Sequence, residues 1–229
     1  MRRLALALLP PALLLVWSPS PTSAGGAGSS LAGTLSLVER DQPVNDAEGA
    51  VVWYVPAAGV APAAPVRAEV WTRDRRFTPR VTVVPVGSEV WFPNGDPILH
   101  NVFSVSAGNR FDLGLYRNGP GKAARIAKSG LVRVYCNVHQ SMAAFVLALD
   151  TPYVARPGPD GRFAFDGLPS GEGTLFVWQE RANVLSRSIT LPLDSTLAVT
   201  LELRTAAPTE HLDKNGRPYR EHKGNDEYR

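Results

Sequence analysis

Three side chains able to hold a metal fall within seven residues, in Cys136-Asn137-Val138-His139-Gln140-Ser141-Met142. Cys136 is the only cysteine in 229 residues, His139 is one of four histidines, and Met142 is one of two methionines, the other being Met1. A thiolate, an imidazole and a thioether spaced Cys-x2-His-x2-Met are donors that copper accepts in both its oxidation states. Two histidines, a cysteine and a weak axial methionine make up the usual electron-transfer copper site. Such a site needs a second histidine. His211 and His222 lie in a polar C-terminal run and read as exposed and without function. His100 remains, in Asn94-Gly95-Asp96-Pro97-Ile98-Leu99-His100-Asn101-Val102.

Each residue also has a plainer reading. Cys136 could be an inert buried thiol at a strand end. Zinc is a second possibility, although its structural sites use several Cys or His ligands. A Cys-His nucleophile would need an oriented base and an oxyanion hole, and the chain offers no third-member histidine. His139 alone would be a loop histidine and Met142 alone core filler. Their combination around one cysteine favours a ligand set of His100, Cys136, His139 and Met142, holding one type 1 copper per chain. Copper oxidases and nitrite reductases use many more histidines, so the expectation is a carrier and not an enzyme.

The elements that must position these residues read as strands. Glycine and proline are abundant, with 20 of each, and helix-period patterns are nearly absent, which predicts an all-β chain. In Leu131 to Cys136, Val132, Val134 and Cys136 share one face and Leu131, Arg133 and Tyr135 the other. The sulfur therefore points the way the valines point, into a core. Met142 to Leu149 resumes as a strand, so the ligand stretch is a loop pinned at both ends. Ala68 to Thr72, Arg80 to Val84, Glu89 to Phe92 and Asn101 to Val105 are further strands, with a turn at Pro85-Val86-Gly87-Ser88. The stretch 107–128, containing Asn118-Gly119-Pro120-Gly121, reads as a long exposed connection.

On either side lie more strands. Leu35 and Leu37 alternate with polar residues, Ala50 to Val55 is a continuous β-prone run as in a buried strand, and Ala57 to Pro65 is an Ala/Pro-rich linker. After Thr151-Pro152 come Arg162 to Phe165, Thr174 to Trp178 and Leu185 to Leu191. Leu197, Val199, Leu201 and Leu203 then alternate with polar positions. Residues 205–229 are polar without apolar periodicity and read as a disordered tail.

Met1-Arg2-Arg3, an apolar run from Leu4 to Trp17 and the small residues Thr22-Ser23-Ala24 form the pattern of a cleaved secretory signal over 1–24. The apolar run is too short, and too interrupted by Pro10-Pro11, to span a bilayer core of about 30 Å. No later segment reads as a membrane span. Cleavage would leave 229 − 24 = 205 residues and lower the formal charge from +3 to +1, which is no footprint for nucleic acid. The expected location is periplasmic or secreted.

The stretch from Phe77 to Leu149 resembles cupredoxins of the plastocyanin and amicyanin type. The resemblance rests on Phe77-x-Pro79, Val86-Gly87-x-x-Val90, Asn94-x-Asp96-x3-His100-Asn101-Val102 and Tyr135-Cys136-x2-His139-x2-Met142. The whole chain resembles exported methylamine-utilisation-like proteins, in which a cupredoxin is coupled to a carboxypeptidase-regulatory-like, or transthyretin-like, β-sandwich. Asp160-Gly161-Arg162-Phe163-x-Phe165-x-Gly167-Leu168-Pro169-x-Gly171 matches that second module. Ser141 stands where relatives often carry an aromatic.

The resemblance implies a Greek-key cupredoxin sandwich plus a second small β-sandwich, with Asn101 tying the two ligand loops together. The regulatory-like module normally opens with two strands that do not fit between Thr151 and Asp160. Gly33-Thr34-Leu35 and Gly49-Ala50-Val51-Val52 supply that pair in the right order. The expected organisation is therefore a cupredoxin at 66–152 inserted into a sandwich built from 31–60 and 153–204. A rival reading gives 31–60 to the cupredoxin as an N-terminal extension. The expected function is single-electron transfer between redox proteins such as a dehydrogenase and a cytochrome. The alternative is an exported structural, adhesion or copper-handling protein with no electron-transfer role. The sequence leaves the oligomeric state open.

Overall fold

The structure, a computed structural model, describes residues 28–204 and 211–219. The signal segment expected at 1–24, and His222 with the last residues of the chain, lie outside the described residues.

Strands β1 (Ser29–Glu39), β2 (Gln42–Val44) and β3 (Val51–Pro56) come first, with one 3-10 turn, Ala47–Gly49, before β3. Next are β4 (Arg67–Glu69), β5 (Trp71–Arg73), β6 (Arg76–Thr78), β7 (Val81–Pro85) and β8 (Glu89–Asn94). They are followed by β9 (His100–Ser104), β10 (Phe111–Tyr116), β11 (Gly119–Arg125), β12 (Gly130–Tyr135) and β13 (Ala143–Leu149). The chain closes with β14 (Val154–Ala155), β15 (Arg162–Leu168), β16 (Gly171–Trp178), β17 (Leu185–Leu191) and β18 (Leu197–Glu202). The protein is all-β.

Four sheets pair into two sandwiches. The order β15-β1-β18, with β2 beside β1, packs on β14-β3-β16-β17. The order β10-β9-β12-β13-β7 packs on β11-β8-β5-β6, with β4 beside β8. Alternation decides which side chains enter each core. Leu31, Leu35 and Leu37 of β1 are buried on one face. Gly33 holds the same face, and a Cβ there would lie 2.3 Å from the Phe163 ring that covers it. In the other sandwich Val132, Val134 and Cys136 are fully buried.

The two sandwiches meet along outer faces of their sheets. Val51, Leu147 and Trp178 are buried there, with Trp53, Val81, Val83, Leu131, Phe145 and Val154 packed around them. Phe145 and Trp178 place their rings 5.4 Å apart, and Arg80 pairs with Glu180 at 2.6 Å. This contact explains why β3 and β13 are apolar on both faces, a pattern otherwise typical of strands buried on both sides.

Three local expectations change. The strand expected over Ala68 to Thr72 is two short strands, β4 and β5, both parallel to β8. The stretch 107–128 is largely β10 and β11. Gly119 and Gly121 fall at a bulge and not in an exposed turn. The β11–β8 register shifts between Gly119 and Lys122, Gly121 has φ 73°, and a Cβ on Gly121 would lie 1.9 Å from the Phe92 carbonyl oxygen. Finally, 211–219 of the expected disordered tail lies against the ligand loop. Its apolar contacts are aromatic rings rather than a periodic aliphatic face, so the sequence shows no stripe.

Candidate metal centre

The site forms where β9 begins and β12 ends. β12 delivers Cys136 directly after Tyr135, with its side chain on the valine face and 0% exposed. The chain then loops to β13. The Cys136 amide donates to the Met142 carbonyl at 3.3 Å, and the Met142 amide donates to the His139 carbonyl at 3.1 Å. These two bonds close the loop on itself. β9 opens with His100, also 0% exposed.

The structure brings His100, Cys136 and His139 together. Cys136 Sγ lies 3.8 Å from His100 Nδ1 and 3.7 Å from His139 Nδ1, and the two Nδ1 atoms are 3.2 Å apart. Met142, in the same loop, is 1% exposed. Asn101 links the two segments, since its Oδ1 accepts from the Asn137 amide at 3.3 Å and its Nδ2 donates to Asp112 at 2.7 Å. His211 is not at this cluster. It is half-buried, stacked on Tyr135 with centroids 4.1 Å apart, instead of standing free in solvent.

Burial sets the protonation of the cluster. It pushes the Cys136 thiol up, against backbone N–H groups of Asn101, Val138 and His139 that favour the thiolate. It lowers His139 to about 4, helped by His100 and the Arg75 cation. His100 is also lowered by burial, against the opposing pull of Asp96. The histidines therefore offer lone pairs at neutral pH, while the thiol must lose a proton to become a metal ligand.

The donor set fits a metal ion. An ion about 2.0–2.1 Å from two nitrogens and about 2.3 Å from a sulfur holds those donors roughly 3–4 Å from one another. The three distances here already lie in that range. They form one group of possible ligand atoms within 4.8 Å of each other among the described residues. A soft thiolate beside two imidazoles suits copper or zinc.

The sequence motif includes Asp96 without a role for it, and nothing in the sequence points to Tyr219. Asp96, 8% exposed, accepts from His100 Nε2–H at 2.9 Å and from the amides of Asp74 at 2.7 Å and Arg75 at 3.0 Å. A carboxylate four residues before a candidate ligand histidine was the available signal. Tyr219 donates its hydroxyl to the Cys136 carbonyl at 2.7 Å. No local pattern marks it, because its partner lies 83 residues away.

No family model and no curated protein matches the chain. Several solved structures are similar to part of it. A purple cupredoxin from Nitrosopumilus maritimus is 19% identical over 36% of this chain and 99% of its own, with a TM-score of 0.33. An amicyanin from Paracoccus versutus is 21% identical over 42% of this chain and 91% of its own, at 0.33. A copper-containing nitrite reductase from Thermus scotoductus SA-01 is 20% identical over 50% of this chain and 28% of its own, at 0.35.

Proposed function

We propose that the protein is an exported type 1 copper protein that passes single electrons between redox partners. The observation that carries this reading is the Nδ1, Nδ1, Sγ triangle with sides of 3.2, 3.7 and 3.8 Å, formed by buried His100 and Cys136 and half-buried His139. His100, Cys136, His139 and Met142 would hold the metal. Copper in such a set supplies a one-electron couple whose potential depends on the axial ligand and on hydrogen bonds around the sulfur.

The chain's own residues contribute rigidity and exclusion of water. Cys136, His100 and Met142 are buried, and the loop-closing bonds between Cys136, His139 and Met142 limit the ligands' movement. Small movement keeps reorganisation low when charge changes. The Val138 amide, 3.4 Å from Cys136 Sγ, would stabilise negative charge on the sulfur. With four histidines in the chain, two of them outside this cluster, the donors suit one such site better than the several coppers of an oxidase. A redox protein, such as a dehydrogenase or cytochrome, is the partner that this chemistry requires. The signal-like 1–24 supports export. The Asp160 to Gly171 signature supports a regulatory-like binding or structural module in the second sandwich.

The test is spectroscopic. Loaded with Cu(II), the protein is expected to show an intense visible thiolate-to-copper band and a narrow parallel hyperfine splitting. Cys136→Ser should abolish the band and leave the fold intact. Met142→Leu should keep the band and raise the potential. A wild type that takes only zinc, or copper without the band, would sink the carrier reading.

A further inference from the structure

We infer that Asp96 is a positioning residue for the metal centre, fixing the ring and tautomer of His100 through the imidazole edge that faces away from Cys136. The inference rests on the copper reading for its consequence, but not for its geometry.

His100 has two ring nitrogens with different neighbours. Nδ1 faces Cys136 Sγ and His139 Nδ1, while Nε2 lies 2.9 Å from Asp96 Oδ2. A carboxylate only accepts, so the Nε2 side must carry the hydrogen. Nδ1 is left as a lone pair aimed at the cluster, which is the form a metal requires. Histidine ligands commonly donate their second N–H to a carboxylate or carbonyl, which orients the ring and strengthens the donor.

Asp96 is built to stay charged and still. Its Oδ1 accepts from the Asp74 amide at 2.7 Å and its Oδ2 from the Arg75 amide at 3.0 Å. Two backbone N–H donors on one carboxyl group favour its carboxylate form. The Asp96 amide donates to Asn94 Oδ1 at 2.9 Å, and Asn94 Nδ2 donates to the Ile98 carbonyl at 3.0 Å. The loop carrying Asp96 is thus braced from within.

The two amides belong to the tight turn between β5 and β6, where Asp74 and Arg75 have φ of 51° and 55°. Positive φ at both central residues is the type I′ hairpin geometry, normally favoured by Asn-Gly. One carboxylate therefore clamps a turn of non-glycine residues to a histidine at the centre. The same clamp brings the Arg75 backbone beside Asp96.

The test uses the full-length chain and Asp96→Asn, which keeps the size and removes the charge. Copper(II) affinity, measured by chelator competition, should fall about 10- to 100-fold. The reduction potential should rise, because the His100 donor weakens and Cu(II) suffers more than Cu(I). In the metal-free wild type, nitrogen-15 NMR should show His100 protonated at Nε2, with a slowly exchanging proton that Asp96→Asn shifts or loses.

A clamp that served only the turn would lower the melting temperature without moving the potential or that proton. Asp74→Asn with Arg75→Gly supplies a turn that needs no carboxylate, so Asp96→Asn can be repeated there if it misfolds alone. The copper effects should persist in that background. Unchanged affinity and potential in a wild-type-like blue protein would overturn the positioning role. So would a metal-free His100 protonated at Nδ1. A wild type without the thiolate band would overturn the copper reading, and the NMR result would still decide the role of Asp96.

Discussion

His100 and His139 set their Nδ1 atoms 3.2 Å apart in a site where burial opposes charge on both. In the metal-free protein this couples stability to pH. The ordinary histidine value is 6.5, and His139 is lowered to about 4. Above about pH 6.5 both rings are neutral whether the chain is folded or not, and the stabilising contribution is complete. As pH falls towards 4, the unfolded chain takes up protons that the folded site refuses, so the contribution is lost through that window. Urea unfolding of metal-free protein at pH 7, 5.5 and 4.5 should show falling stability, and His139→Gln should flatten the slope. An equal slope in the variant would show that the acid sensitivity lies elsewhere.

The candidate ligands were legible because Cys136, His139 and Met142 are neighbours in sequence and rare in this composition. Asp96 was less so. It reads as an ordinary Asn-Gly-Asp-Pro turn residue, and the amides it accepts lie 22 and 21 residues away.

At the level of elements, strands with clean alternation, such as β12 and β18, could be read directly. β11 could not, because Gly and Pro mark bulges as well as turns, and only the pairing with β8 decides between them. The segment 211–219 shows a different limit. It is held by the Tyr135–His211 stack, by Tyr219 on the Cys136 carbonyl and by Lys214 on both Asp112 and Asn137. None of these contacts is periodic or local. A cleft of about 550 Å³ remains between the segment and the ligand loop, lined by Asn137, Gln140, Asp213 and Arg217 among others.

Segment and loop are therefore joined at a few points. The Tyr219 bond should contribute about 0.5–1.5 kcal/mol net, and the exposed Lys214–Asp112 pair about 0–1 kcal/mol. Deleting 205–229 should leave both sandwiches folded and raise hydrogen exchange at Asn137 to Gln140, with the central amides of β12 and β13 unchanged. Unaltered exchange in that loop would mean that the segment does not hold it.

For the whole molecule, we propose that the two sandwiches are separable folding units, one inserted into the other. Every described strand pairing within 67–149 stays within 67–149. β1, by contrast, lies between β15 and β18, and β3 lies between β14 and β16. A fragment of 152–204 would lack the strand that joins β15 to β18 and the one that joins β14 to β16. Unpaired edges and an uncovered apolar face are aggregation liabilities. That fragment should be insoluble or unfolded, and should recover when 31–60 is fused to it through a short linker. Residues 66–154 should fold alone and take copper. Excision would, however, expose Leu147 and the ring of Phe145, which Trp178 covers in the whole chain. The fragment should therefore self-associate at high concentration, and Phe145→Lys should suppress that without altering the copper spectrum. Cooperative unfolding of 152–204 by itself, together with collapse of 66–154 in the absence of 31–60, would overturn the proposal and give the first strands to the copper sandwich.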